Sequence, residues 1–310
     1  MSIVGPTGPQ GQRGKNGRMG LDGPTGPGGN SIINNTNVIG ATGTFTNVGN
    51  EQNIIFGVNV SVTGTGIVNI GYESKSYSDN SISIGDFSAA TGLCSISLGY
   101  GSNTNDNYAI AIGSSSIANG NGCISLGSFS NSTVQDSIAI GTVSLSNAYS
   151  AISIGNYSTA TGSYSTSIGF NSKALNNNAL AVGPGSIGTG LSCISLGHNS
   201  LSYADNAIAI GIDSVATGTS SISIGNFAQT YANNAVAIGH NALSNIANQI
   251  VLGASSSTVK PGGNFVLPVF SSSPLNPVVG QFYYNTNDNK LYICTVGGGT
   301  PTWKSSAVFT

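Results

Sequence analysis

The sequence predicts an all-β fold: a parallel β-roll of about fifteen coils, with a collagen-like stem before it and a small β module after it. Three observations support this prediction. A glycine recurs every fourteen residues from Gly57 to Gly253. Another set of glycines falls on every third position from Gly5 to Gly29. Only 6% of the 310 residues are charged, against about 25% in ordinary soluble domains.

Residues 1–29 are predicted to form a collagen-like triple-helical stem. Nine consecutive glycines occur at period three, and Pro6, Pro9, Pro24 and Pro27 each follow a glycine directly. Only glycine fits at the axis of three wound chains, so the pattern predicts a homotrimer; a flexible Gly/Pro linker is the alternative. Proline is absent from the position where hydroxyproline is usual, so eight triplets should be marginally stable alone. We therefore expect a downstream part of the chain to hold the trimer together.

Residues 54–256 are predicted to form the roll, after a transition segment or N-terminal cap at 30–53. The residue before each repeat glycine is large and apolar, and the third residue before it is aliphatic everywhere except Thr166. Alternation of large and small residues is typical of a half-buried strand. Fourteen residues suffice for one flat coil, which would stack on its neighbour at about 4.8 Å. The two aliphatic columns are predicted to form the interior.

A column of small residues lies between the two aliphatic columns, two residues before each glycine. Strand alternation then predicts that it points out of the coil. A solvent-facing column should vary more than Ser and Ala, so we expect a neighbouring chain to approach here and form the trimer seam. The predicted seam residues are Ser83, Ser97, Ala111, Ser125, Ala139, Ser153, Ser167, Ala181, Ser195, Ala209, Ser223 and Ala237.

The repeat resembles a known family. The phrases "DNSISIG" (79–85), "NNALAVG" (177–183), "DNAIAIG" (205–211) and "NNAVAIG" (233–239) are similar to the head repeats of trimeric autotransporter adhesins, the YadA-like family. A serine three residues after most repeat glycines, such as Ser200, also matches. The resemblance covers about two thirds of the chain. It implies a left-handed parallel β-roll, three rolls side by side, and a role in adhesion.

Residues 257–310 are predicted to form a C-terminal β cap or tip. "QFYYNTNDNKLYIC" predicts two strands around an "NTNDN" turn. The phrase "YYNT…KLY…W" is similar to small terminal modules of phage and giant-virus fibres. Four aromatic residues either pack within this module, because a solenoid end needs a cap, or form a glycan-binding tip. They are Tyr283, Tyr284, Tyr292 and Trp303.

The sequence predicts no catalytic, cofactor-binding or metal site. "GPGSIG" (183–188) fits the dinucleotide fingerprint but has no β-α-β unit around it. His198 and His240 are three coils apart, too far to share a metal within one chain. The coil separations among Cys94, Cys123 and Cys193 exceed those a disulfide tolerates, and Cys294 lies outside the roll. These thiols are therefore expected to be free.

The predicted function is a structural trimeric fibre on a virion surface, for display and attachment. The net charge of −2 gives no support for a nucleic-acid partner. No signal peptide or long apolar run is evident, so we expect assembly inside a cell without membrane insertion. The predicted partners are two further copies of the chain, a capsid or particle-surface protein at one end, and a host-surface glycan or receptor.

Three alternatives remain at this point. A bacterial or spore-surface adhesive filament is nearest to the main prediction. An ice-binding solenoid would usually display threonine columns on an open face, whereas here serine alternates with alanine. A polysaccharide lyase on a β-helix would carry acidic and basic clusters, whereas the cations of this roll are Lys75 and Lys173.

Overall fold

The computed structural model describes residues 31–34, 37–40, 53–258, 268–274, 277, 279–296 and 301–305. The chain divides into two units, 1–256 and 257–310, and each is described by itself. The predicted collagen-like stem lies outside the described residues.

The first unit is a parallel β-solenoid, and the predicted count of about fifteen coils is confirmed. Each coil contributes one three-residue strand to a front sheet and one two-residue strand to a back sheet. Within each sheet, successive strands are fourteen residues apart and pair in parallel, as Ile208 does with Ile222. The described residues contain no helix.

The front-sheet strands are Ile54–Phe56, Val68–Ile70, Ile82–Ile84, Ile96–Leu98, Ile110–Ile112, Ile124–Leu126, Ile138–Ile140, Ile152–Ile154, Thr166–Ile168, Leu180–Val182, Ile194–Leu196, Ile208–Ile210, Ile222–Ile224, Val236–Ile238 and Ile250–Leu252. The back-sheet strands are Ser61–Val62, Lys75–Ser76, Ala89–Ala90, Asn103–Thr104, Ile117–Ala118, Asn131–Ser132, Leu145–Ser146, Thr159–Ala160, Lys173–Ala174, Ile187–Gly188, Leu201–Ser202, Val215–Ala216, Gln229–Thr230 and Leu243–Ser244.

Two further strands precede the first coil. Ser31–Asn34 and Asn37–Gly40 pair antiparallel with each other. The second of them pairs in parallel with Ile54–Phe56, through Val38 opposite Ile54. The front sheet therefore extends beyond the solenoid into the segment that the sequence assigns to a transition.

The interior of the solenoid is filled by four small side chains per coil. In the coil that starts at Gly197 they are Ser200, Ser202, Ala207 and Ala209, all 0% exposed. Counted from the bend glycine, these are the third, fifth, tenth and twelfth residues. The same four positions are buried in coil after coil.

Both turns of each coil contain a residue in the left-handed conformation, so such a residue occurs every seven positions. In one coil these are Asn199 and Asn206, with φ of 51° and 56°. Asparagine tolerates this region well, because its short polar side chain bonds locally. Bulky residues also occupy it, among them Val143 with φ of 57°. The left-handed conformation therefore recurs with the period of the coils and is not tied to one residue type.

The bend glycines are required by close stacking. Gly99 has φ of +132°, a region that is essentially restricted to glycine. A Cβ atom at Gly99 would lie 2.5 Å from the carbonyl oxygen of Gly113 in the next coil. The same geometry recurs at successive bends, which explains why the glycine repeats without interruption.

The second unit contains one four-stranded sheet. Its strands are Val269–Phe270, Phe282–Asn285, Lys290–Val296 and Thr302–Ser305. The first pair is parallel, and the other two pairs are antiparallel. The strands on either side of the "NTNDN" turn are where the sequence predicts them, with Tyr283 opposite Tyr292.

Candidate interaction surfaces

The predicted orientation of the front-sheet strands was wrong. The column predicted as the trimer seam points into the coil, and every member of it is 0% exposed in the single chain: Ser83, Ser97, Ala111, Ser125, Ala139, Ser153, Ser167, Ala181, Ser195, Ala209, Ser223 and Ala237. Side chains enclosed in this way cannot contact another chain.

The reason for the reversal is the narrowness of the coil. Inward groups from opposite sides touch directly, as where the Sγ of Cys123 lies 3.3 Å from the carbonyl oxygen of Ser132. A Cβ added at Gly188 would lie 2.9 Å from the Sγ of Cys193. Isoleucine does not fit in such a gap, so the aliphatic columns take the outer face. The first coil is the exception, with Ile55 and Ile67 at 0% exposure.

Serine suits this interior because most of its hydroxyls find partners inside the coil, although those of Ser95, Ser165, Ser202 and Ser223 do not. The Oγ atoms of Ser153 and Ser158 are 2.7 Å apart, and Ser158 also donates to the carbonyl oxygen of Gly155 at 2.7 Å. The same pairing joins Ser195 to Ser200 at 2.8 Å. Where the first member is alanine, the second serine still bonds the glycine carbonyl. A buried hydroxyl without a partner would be costly, so these pairs permit a polar core.

The front sheet displays two aliphatic columns on its outer side. They are the eleventh and thirteenth residues after each bend glycine, such as Ile208 and Ile210. Side chains in these columns are half-buried or exposed, with Ile112 at 39% and Ile238 at 40%. Since coils stack at about 4.8 Å, fifteen of them give an apolar strip about 70 Å long. We call this strip the aliphatic face.

Exposed aromatic side chains lie at the turns of the solenoid. They were not identified in the sequence analysis. Tyr72, Phe87 and Tyr100 form an edge-to-face series, with ring centroids 5.4 and 5.6 Å apart, and they are 42 to 58% exposed. The hydrogen bond from Tyr72 to Glu73 raises the pKa of that phenol. The signal available in the sequence was the recurrence of Tyr and Phe one or two residues after a repeat glycine.

The four aromatic residues of the second unit do not form one open platform. Tyr283 is 1% exposed and lies between two neighbours. It stacks on Tyr292 at 5.3 Å and meets Trp303 edge-on at 5.0 Å. Tyr284 is half-buried, and its hydroxyl donates to Asn289 at 3.0 Å. Tyr283 therefore packs inside the second unit and is not accessible to a ligand.

The titratable groups of the solenoid are dispersed. Over the described residues, no group of three or more His, Cys, Asp or Glu side chains could hold a metal ion. All four cysteines have free thiols. Burial raises the pKa of the Cys123 and Cys193 thiols, so both stay protonated near neutral pH. No helix in this part of the chain is long and apolar enough to cross a membrane.

Seven segments of the chain match the family model described as YadA head domain repeat (2 copies). They cover residues 70–88, 90–116, 107–130, 146–172, 160–186, 189–214 and 216–242. The solenoid is built of YadA head repeats. The resemblance predicted from the "NNALAVG"-type phrases is thus confirmed, and the matched segments coincide with the solenoid.

One solved structure similar to this chain is the crystal structure of the collagen-binding domain of the Yersinia adhesin YadA. The identity is 21%, over 61% of this chain and 82% of that chain, with a TM-score of 0.31. No curated protein sequence matches the chain. Heads of the matched family belong to structural surface adhesins.

Proposed function

We propose that the chain forms the adhesive head of a homotrimeric surface fibre of the bacterial type, with no catalytic step. The observation that carries this proposal is the aliphatic face, on a solenoid made of YadA head repeats. Soluble monomers rarely expose an apolar patch larger than a few hundred square ångströms. A face this long is better explained as a surface that other copies cover.

Three front sheets meeting on their aliphatic faces would bury these columns along a common axis. The back sheets and the turn edges would then face outward. In this arrangement the trimer contact is made by the aliphatic face, and not by the Ser/Ala column that the sequence predicts as the seam. It also supplies what a short collagen-like stem at 1–29 needs, which is a larger trimer contact downstream. The stem as trimer spacer and residues 257–310 as cap remain parts of the proposal.

The family match favours a bacterial cell-surface adhesin over the virion fibre that the sequence layout predicts. The matched repeats are those of bacterial surface adhesins. No family match of this kind supports a capsid protein as partner. A bacterial adhesive filament was the nearest alternative in the sequence analysis, and it becomes the leading proposal.

The native mass of the full chain tests this proposal. We expect three times the 31.0 kDa of one chain. The double variant Ile140→Asp with Ile154→Asp should give a single-chain mass, because six carboxylates would be placed in an apolar seam where a buried unpaired charge costs several kcal/mol. Native mass spectrometry and sedimentation equilibrium measure both.

The matched control is the double variant Leu145→Asp with Thr159→Asp, on the back-sheet strands that directly follow those two front-sheet strands. These residues also point outward, so this variant should remain trimeric. A wild-type mass of one chain would contradict the proposal. So would a trimer that survives the front-sheet pair but is lost with the back-sheet pair.

A further inference from the structure

A shallow groove of about 730 Å³ runs along the outer side of the back sheet, between the coils that contain residues 171 and 229. Its floor is the column formed by Ile187, Leu201 and Val215, which pair in register from coil to coil. Tyr203 stands on one wall and Phe227 on the other. This back-sheet groove lies on the opposite side of the coil from the aliphatic face, so a trimer built on that face leaves it open.

The two rings on the walls are available to a ligand. Tyr203 is 47% exposed and Phe227 is 45% exposed. Within the described part of the chain, Tyr203 meets no other ring and its hydroxyl has no hydrogen-bond partner. Among the rings of the described residues, Phe227 pairs with His240 alone, in an edge-to-face arrangement with centroids 6.4 Å apart. Each ring is therefore about half accessible from the groove or the solvent.

Polar side chains with unused hydrogen-bonding groups line the same groove. The carboxylate of Asp213 and the amide of Asn171 line it and form no hydrogen bond with any described residue. The Oε1 atom of Gln229 accepts from Tyr231 at 2.9 Å, which leaves its NH₂ group for a ligand. Asn199 lies across Gly185, where a Cβ atom would come within 2.4 Å of its Oδ1. The side chain of Asn199 therefore occupies the space that a side chain at residue 185 would need.

The charge of the groove restricts what it can bind. Among its lining residues, Asp213 is the one charged side chain, and neither Lys nor Arg is present. Anionic ligands therefore have no partner here, and one carboxylate is a weak site for a cation. An uncharged ligand fits this lining best.

An added peptide strand is also disfavoured. The floor N–H groups already donate to the next coil, from Ile187 to Ser200 at 2.9 Å and from Leu201 to Ser214 at 2.8 Å. No strand edge is open along the groove, so main-chain pairing of the kind used in strand addition is not available. A ligand must instead be recognised through its faces and hydroxyl groups.

We propose that the back-sheet groove binds an uncharged, extended glycan laid along the solenoid axis. Sugar C–H faces would stack on Tyr203 and Phe227, and hydroxyl groups would bond Asp213, Asn171 and Gln229. The aliphatic floor would receive apolar substituents such as the methyl groups of N-acetyl sugars. This inference rests on the proposed adhesive function and names a ligand class for it.

The test uses the full-length chain and chitohexaose, an uncharged β-1,4-linked N-acetyl sugar that is straight enough for the groove. Isothermal titration calorimetry should show binding to the wild type. Tyr203→Ala should weaken it about tenfold, the loss expected for one stacking contact of about 1.4 kcal/mol. Tyr203→Phe keeps the ring and should bind within about twofold of the wild type.

The matched control is Tyr77→Ala, at the same coil position and 42% exposed, nine coils before Tyr203 and outside the groove. It should bind as the wild type does. Circular dichroism confirms that each variant keeps its fold. Decaproline serves as the rival probe, because extended proline-rich peptides dock in aromatic-lined grooves.

Four outcomes overturn the glycan site: no binding of chitohexaose, equal losses from Tyr203→Ala and Tyr77→Ala, loss of binding in the Tyr203→Phe variant, or Tyr203-dependent binding of decaproline alone. The native mass separates this failure from failure of the proposed function. A trimer that ignores chitohexaose removes the glycan site and leaves the adhesive head. A monomer removes the trimeric head whatever the groove binds.

Discussion

Gly99→Ala is expected to destabilise the solenoid by about 3 kcal/mol or more. The methyl group would enter a backbone conformation of φ +132° and come within 2.5 Å of the carbonyl oxygen of Gly113. The first effect alone costs about 1–3 kcal/mol. The second forces two coils apart and weakens the ladder on both sides. Urea unfolding followed by circular dichroism measures the change in the free energy of unfolding.

Gly101→Asn is the matched control for that substitution. Gly101 lies two residues further on in the same turn, with φ of 62°, and an added Cβ would meet only the Oγ of Ser115, at 3.7 Å. Asparagine already occupies the equivalent position at Asn199 and Asn241. We expect a change within about 0.5 kcal/mol. Equal losses from the two variants would show that the turn as a whole, rather than coil stacking, requires glycine.

Ala139→Leu is expected to destabilise the solenoid by about 3 kcal/mol. Ala139 is 0% exposed, and its column neighbours in the adjacent coils are Ser125 and Ser153. Three extra carbon atoms have no free volume to enter, because the hydrogen-bonded sheets fix the coil on both sides. Thermal and urea unfolding of the full chain provide the measurement.

Ile140→Leu is the matched control, one residue further along the same strand and on the aliphatic face. It conserves volume on an outer surface, so we expect a loss below about 1.5 kcal/mol. If Ala139→Leu were as mild as Ile140→Leu, the small column would have room around it. The small column would then not be the interior of the coil.

The period and the strand positions could be predicted from the sequence. Each aliphatic–small–aliphatic–glycine phrase is a front-sheet strand followed by its bend, as at Ile208–Ile210 and Gly211. Alternation identifies two faces of a strand but does not say which one is inside. The usual rule puts apolar residues inside. It failed here because a narrow coil admits only small side chains.

A signal that could have decided the orientation was present in the sequence. Four positions per coil carry almost only Ser, Ala, Thr, Cys or Gly, as Ser200, Ser202, Ala207 and Ala209 show. Four small positions, two from each strand region, are what a narrow interior requires. An aliphatic interior would have needed large residues at positions facing one another across the coil.

The turns and the back-sheet groove could not be predicted in the same way. Left-handed positions recur every seven residues, yet they hold residues as different as Asn199, Val143 and Phe227. Stacking determines their conformation, so single residues give little sign of it. The groove is formed by three outward columns, which contain Asn199, Leu201 and Tyr203. Their side chains line one groove only when successive coils stack in register, and single-residue patterns do not show this.

The reactivity of the native thiols tests the central claim most directly, namely that small side chains fill the coil and aliphatic ones cover it. Cys123 and Cys193 occupy the inward column and are 0% exposed, whereas Cys94 lies at a turn and is partly exposed. Labelling of the full chain with a soluble maleimide, followed by peptide mass spectrometry, reads each site separately. Because burial raises the pKa of both inward thiols, they should stay unlabelled at neutral pH until the chain unfolds, while Cys94 reacts. Rapid labelling of Cys123 and Cys193 in the folded protein would contradict this arrangement.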